Sequence, residues 1–165
     1  ELGVRDEEFL TLDELRAHVA NVRQHILEDD PRSAEFLLYL LHTLFVLGSK
    51  CSDPELVKPE YHPHALEQRH LEKLEAEQAR LEASLELPKS FIVGAGTLPA
   101  AQTDIACTVA RRLERALVRL VEEFPAFGRG IELAYVNRLS DYLFILARSL
   151  EKGRHTPVDY TMLNE

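Results

Sequence analysis

Between Pro31 and Ser49, Leu37, Leu40, Leu41, Leu44 and Leu47 recur at three- and four-residue steps and leave few polar faces. A segment written this way predicts a helix at the centre of a fold, with neighbours on most sides. The rest of the chain supplies candidate neighbours. Thr11-Leu12-Asp13-Glu14 reads as a capping box, and Leu15, Val19, Val22 and Ile26 follow at helical spacing, so a first helix is expected over about 12–29. Asp30 as cap and Pro31 at the first position open the apolar helix, about 31–49. Pro54, Pro59 and Pro63 mark a loop over 50–62. A charged third helix is expected over about 63–86, with one apolar stripe of Leu66, Leu71, Leu74, Leu81 and Leu85 before Pro88 ends it. A fourth spans about 100–123 and stops before Pro125, Gly128 and Gly130; a fifth spans about 131–152, with Gly153 as its stop. The tail from Arg154 has no strong period, and neither strand alternation nor an internal repeat is visible. The expectation is an all-α, five-helix bundle forming a single domain over 1–165.

Composition narrows the function classes. Hydrophobic residues make up 45% of the 165, enough for a real core. The richest apolar stretch, Phe36 to Leu47, is short and contains His42 and Thr43, so no membrane span is expected. The formal net charge of -9 repels phosphate backbones and argues against general nucleic-acid binding, although a local basic cluster can still hold one nucleotide. Two cysteines without a CxxC, Cys51 and Cys107, suit a reducing cytoplasm.

Two helices carry candidate chemistry. On the fourth, positions 104, 107, 111, 114, 115 and 118 share a face, opposite a core stripe of Ile105, Val109, Leu113, Leu117 and Leu120. Arg111, Glu114 and Arg115 therefore stand together away from that stripe. The planar guanidinium fork suits phosphate oxygens, and a nearby carboxylate can orient it. On spacing alone, an exposed face with ordinary surface ion pairs is the simpler account. On the fifth helix, Asn137, Asp141, Phe144 and Arg148 share a face within very apolar sequence, which implies a partly buried polar network, structural or functional. Phe91-Ile92-Val93-Gly94-Ala95-Gly96-Thr97 is an apolar, glycine-containing segment between helices, where backbone can approach a ligand or another chain closely. It is no P-loop, because no Lys-Ser/Thr follows its glycines. His62, His64 and His70 lack the companions of a metal site and read as surface histidines; no metal centre is expected.

Taken together, these pieces resemble the PduO-type cobalamin adenosyltransferase family. The residues that carry the resemblance are NRLSDYLFILAR at 137–148 and RRLER at 111–115. Phe91-Ile92-Val93 stands where the family has F-I-L-P-G-G, Leu12-Asp13-Glu14-Leu15 resembles its T-x-D-E-L, and Leu44-Phe45-Val46-Leu47-Gly48 its L-F-D-L-G. The resemblance implies a five-helix bundle of the cobalamin adenosyltransferase-like type that forms a homotrimer with sites between subunits. It implies ATP with Mg2+ as co-substrate, reduced cobalamin as acceptor, and transfer of the 5′-deoxyadenosyl group with release of triphosphate. By the same resemblance, Arg111, Arg112, Glu114, Arg115 and Asn137 would bind ATP. Arg111 and Glu114 would be catalytic. Phe91, Asn137 and Asp141 would contact cobalamin, with Phe91 below the corrin.

Three positions depart from the family pattern. A T-x-T-G-D-x-G loop would lie upstream of Asp13, and only twelve residues precede Asp13 here. Cys107 stands where the family has an arginine that pairs with the aspartate matched by Asp13, so Asp13 must be exposed or find another cation. Gly94 and Val46 replace the Pro and Asp of their motifs. A catalytically impaired bundle that holds a corrinoid or a nucleotide is the alternative these departures imply.

Overall fold

The computed structural model describes the backbone of residues 4–164 and the side chains of residues 6–164. Residues 1–3 and 165, which the single-domain expectation includes, lie outside the described residues. Five long helices follow in order: α1 (Val4–Ile26), α2 (Pro31–Ser52), α3 (Gln68–Glu82), α4 (Leu98–Glu123) and α5 (Glu132–Leu150).

The helix starts show where local chemistry decides and where packing overrides it. Asp30 caps α2 as expected, its carboxylate accepting from the Ser33 amide at 3.1 Å. Thr11 does not cap α1. The helix begins at Val4, and the Thr11 hydroxyl donates within it to the Glu7 carbonyl at 2.7 Å. The extra turns are held by α4 and by burial: Glu7 pairs with Arg119 at 2.6 Å, and Glu8 is 0% exposed. At its other end α1 stops at Ile26 rather than Asp29. The third helix also differs from expectation. It opens at Gln68 rather than Pro63, because Glu67 and His70 form a reciprocal cap in which the Glu67 amide donates to His70 Nδ1 at 2.8 Å. Thr97 caps α4 by accepting from the Ala100 amide at 3.3 Å.

Helix α4 packs on both α1 and α5, α1 also packs on α2, and α3 lies on α5. This two-sided contact explains the buried arc of α4: Ala106, Val109, Ala110, Leu113, Leu117 and Leu120 are buried, and small alanines admit neighbours on both sides. Ile105 points out of both contacts and is 48% exposed, contrary to its assignment to the core stripe. Leu37, Leu40, Leu44 and Leu47 of α2 are fully enclosed. By length and mean hydropathy, 1.3, α2 would be long and apolar enough to cross a membrane, and half of that window is buried inside the bundle. Across the core, Thr43 Oγ1 and Tyr135 Oη lie 2.6 Å apart, and the rings of Phe36 and Tyr142 meet edge to face at 5.1 Å. Among the described residues, extended pairing is limited to an isolated antiparallel bridge between Ile92 and Pro157.

Candidate functional site

The solvent-facing side of α4 and the adjoining turn of α5 form the candidate site. Arg111 and Arg115 are one turn apart and both exposed. Neither has a carboxylate partner among the described residues, although arginines elsewhere on the surface do. Glu114, between them in sequence, accepts a hydrogen bond from Asn137 Nδ2 of α5 at 2.9 Å. The structure thus brings Glu114 and Asn137 together and leaves two guanidinium forks free beside them. Two unpaired forks on one exposed face can bind a polyphosphate without first breaking an ion pair.

Other predicted residues are placed differently. Arg112 turns toward α1 and pairs with Glu14. Asp141 is half-buried and faces Arg138 at 3.5 Å, which also reaches Glu75 of α3 at 3.2 Å. Phe91 stands in the segment before α4 with 81% of its surface exposed. It lines a cleft with Pro88, Lys89, Ser90, Val158 and Tyr160, which contains none of the α4 arginines.

The shared face on α5 is graded from wet to dry. Asn137 is exposed, whereas Arg148 is buried at 5% exposure. Arg148 donates to Asp104 of α4 at 2.6 Å and lies over the Phe144 ring at 5.2 Å. It also approaches Glu151 at 3.1 Å, off the hydrogen-bond line, so that contact is an ion pair. The expected polar network exists at this dry end.

Cys107 is buried, and its thiol donates to the Ser140 carbonyl at 3.3 Å. Burial pushes the thiol pKa up, while the neighbouring Arg111 pulls it the other way. Asp13 is exposed and pairs with Arg16 at 3.3 Å, so the cation it needs comes from its own helix. Residues 4–12, immediately upstream of Asp13, are helical turns. His64 is exposed, as expected of a surface histidine, but His62 and His70 are more engaged. His62 is 12% exposed, contacts Asp53 at 3.4 Å and hydrogen-bonds Ser49, and His70 caps α3. No trio of metal-binding side chains is found among the described residues.

Sequence reasoning missed Glu14, Glu75, Asp104 and Glu151 as partners of arginines. Glu14 and Glu75 lie 98 and 63 residues from the arginines they meet, and no local period reports such a contact. Helical spacing puts Asp104 on the right face of α4 but names no partner for it. Glu151, three residues after Arg148, was within reach of the helical spacing rule.

Residues 7–150 match the model of a family described as cobalamin adenosyltransferase. A cobalamin adenosyltransferase of Cupriavidus metallidurans is 37% identical over 148 residues, covering 86% of this chain and 72% of that protein. A corrinoid adenosyltransferase of Mycobacterium bovis is 33% identical over 72% of this chain, and the match spans 62% of that protein. Among solved structures, a variant of the PduO-type ATP:corrinoid adenosyltransferase from Lactobacillus reuteri, complexed with cobalamin and ATP, has a TM-score of 0.78. It is 24% identical and covers 96% of this chain and 84% of its own, a likeness of fold.

Proposed function

The chain belongs to the cobalamin adenosyltransferase family, and we propose that it transfers the 5′-deoxyadenosyl group of ATP to the cobalt of a reduced corrinoid. The carbon–oxygen bond at ribose C5′ breaks, a cobalt–carbon bond forms, and triphosphate leaves. The observation that carries this proposal is the pair of free guanidinium groups, Arg111 and Arg115, beside the Glu114–Asn137 hydrogen bond. A triphosphate that gains charge as it leaves is stabilised by positioned cations, and holding both reactants in one geometry lowers the barrier further.

In this assignment Arg111 and Arg115 grip the phosphates, and Glu114 orients them together with Asn137. Arg112 would join only by exchanging its Glu14 partner. Magnesium would enter with ATP, and Glu114 would be the adjacent carboxylate, consistent with the few protein ligands Mg2+ usually takes. Phe91 and Asp141, with Asn137, are assigned to the corrin, Phe91 from below.

A homotrimer in the cytoplasm is part of the same proposal. Leu38 and Phe45 lie two turns apart on α2, 39% and 64% exposed, and form an apolar strip that another copy would cover. The acidic surface and the pair of buried free thiols support a cytoplasmic setting without a nucleic-acid partner. Light scattering at micromolar concentration should give three times the chain mass.

The deciding experiment is an anaerobic spectral assay with ATP, magnesium and chemically reduced cobalamin. Appearance of the adenosylcobalamin spectrum is expected. A corrinoid spectral change on binding, without conversion, would replace transfer by binding alone.

A further inference from the structure

The segment between α3 and α4, residues 83–97, carries Phe91 at a point where packing cannot fix it. With 81% of its surface exposed, the ring is placed by its backbone. Among the described residues, two backbone hydrogen bonds tie residues 86–96 to a distant part of the fold, and both run to the tail after α5. The Val93 amide donates to the Thr156 carbonyl at 2.9 Å, and the Val158 amide donates to the Phe91 carbonyl at 2.9 Å. They flank the Ile92–Pro157 bridge. Proline suits the middle of this pairing, because the amide it lacks is not one of the two donors.

A second contact closes the same assembly. A Cβ on Gly96 would lie 1.5 Å from the Arg154 carbonyl oxygen and 2.4 Å from its carbon, so the tail occupies the space that any side chain there would need. Glycine is required at this position by close approach of another backbone stretch. The base of the tail is itself anchored. The Arg154 amide donates to the Glu151 carbonyl at 3.0 Å, and His155 Nδ1 lies 3.6 Å from the buried Glu151 carboxylate. Loop and tail then line the cleft at Phe91 from opposite sides, through Val158 and Tyr160 on the tail.

We propose that residues 154–158 act as a backbone clamp that positions Phe91 for the corrin, with Gly96 as the positioning residue that lets the clamp close. The clamp is a matter of structure alone; its catalytic consequence rests on the adenosyl-transfer proposal above. Phe91 itself would touch the substrate, whereas Gly96 acts only through the tail.

The test compares Gly96→Ala with Gly94→Ala in the full chain. The two changes add the same methyl group to the same segment, but a Cβ at Gly94 meets nothing within 4 Å. Amide exchange at Val93 and Val158 is expected to quicken about tenfold or more in the Gly96 variant, as local opening is released, and to stay unchanged in the Gly94 variant. With ATP and reduced cobalamin, kcat of the Gly96 variant should fall by about ten- to a hundredfold, the upper figure being the scale of a misplacement of about 1 Å, while KM for ATP stays constant. A thermal melt distinguishes this local effect from unfolding. Unchanged exchange in the Gly96 variant overturns the clamp. Faster exchange with unchanged kcat overturns its role in positioning. Failure of the wild-type chain to form adenosylcobalamin sinks the transfer proposal, while the exchange comparison still decides whether the tail clamps the loop.

Discussion

Asn137 of α5 donates to Glu114 of α4 at 2.9 Å, a side-chain bond between the two helices that carry the chain's most specific motifs. It fixes where the carboxylate points while leaving the arginines on either side of it unpaired. Replacing Asn137 by alanine is expected to lower kcat/KM for ATP about three- to tenfold, the scale of one ordinary hydrogen bond, because this bond only orients Glu114. Because Asn137 is exposed, urea midpoints should barely move. A large loss of stability with unchanged kinetics would make the bond structural only.

Arg111 and Arg115 test whether geometry or charge binds the phosphates. Alanine at either position should reduce kcat/KM for ATP by about ten- to a hundredfold, the range for a lost charge-assisted hydrogen bond. Lysine should restore only part, because it keeps the charge and loses the fork. Full rescue by lysine at both positions would show that general electrostatics suffice.

Arg148 and Glu151 are buried together, at 5% and 1% exposure. Removing only the cation, as in Arg148→Ala, takes the closer cation from the buried Glu151 carboxylate and the donor from Asp104, and should cost about 3–5 kcal/mol in urea unfolding. Arg148→Met combined with Glu151→Leu should recover part of that loss, because Asp104, one-third exposed, still loses its donor. If the single and double variants are equally unstable, the pair is not what the site needs.

Alkaline pH provides a test without mutation. Burial raises the pKa values of Cys51, Tyr135 and Tyr142 above their ordinary values of 9.0 for the thiol and 10.0 for the phenols. The folded chain therefore holds these protons after the unfolded chain has released them. Their contribution to stability is complete below about pH 9 and declines as pH rises from there, because the native state then binds more protons than the unfolded state. Urea unfolding at pH 7, 9 and 10.5 should show a level stretch followed by a fall. A constant free energy to pH 10.5 would contradict the buried environment of all three.

Legibility followed the range of each interaction. The start of α2 was written locally in Asp30 and Pro31, and the motif on α4 placed Arg111, Glu114 and Arg115 on one accessible face. The start of α1 was misread because its first turns depend on Arg119, 112 residues away, which no cap signal encodes. The start of α3 was misplaced because Glu67 and His70 are uncommon capping partners beside the more familiar Pro63 signal. A single apolar stripe puts Ile105 inward, whereas the two neighbours of α4 leave it outside both contacts. The pairing of the Phe91 segment with the tail joins residues more than sixty positions apart, neither of which has a strand period.

The bond between Thr43 and Tyr135 links the second helix of the bundle to the fifth. On the ribosome these two are far from simultaneous. About 80 residues separate the end of α2 from the start of α5, and at roughly 5–20 residues per second that interval lasts about 4–16 s. Throughout it, the most apolar helix of the chain can lean on α1 and then on α3, whose Lys73 and Arg80 reach Tyr39 and Ser33, but not on α5. The part of α2 around Thr43 therefore stays open until Tyr135 arrives to close it.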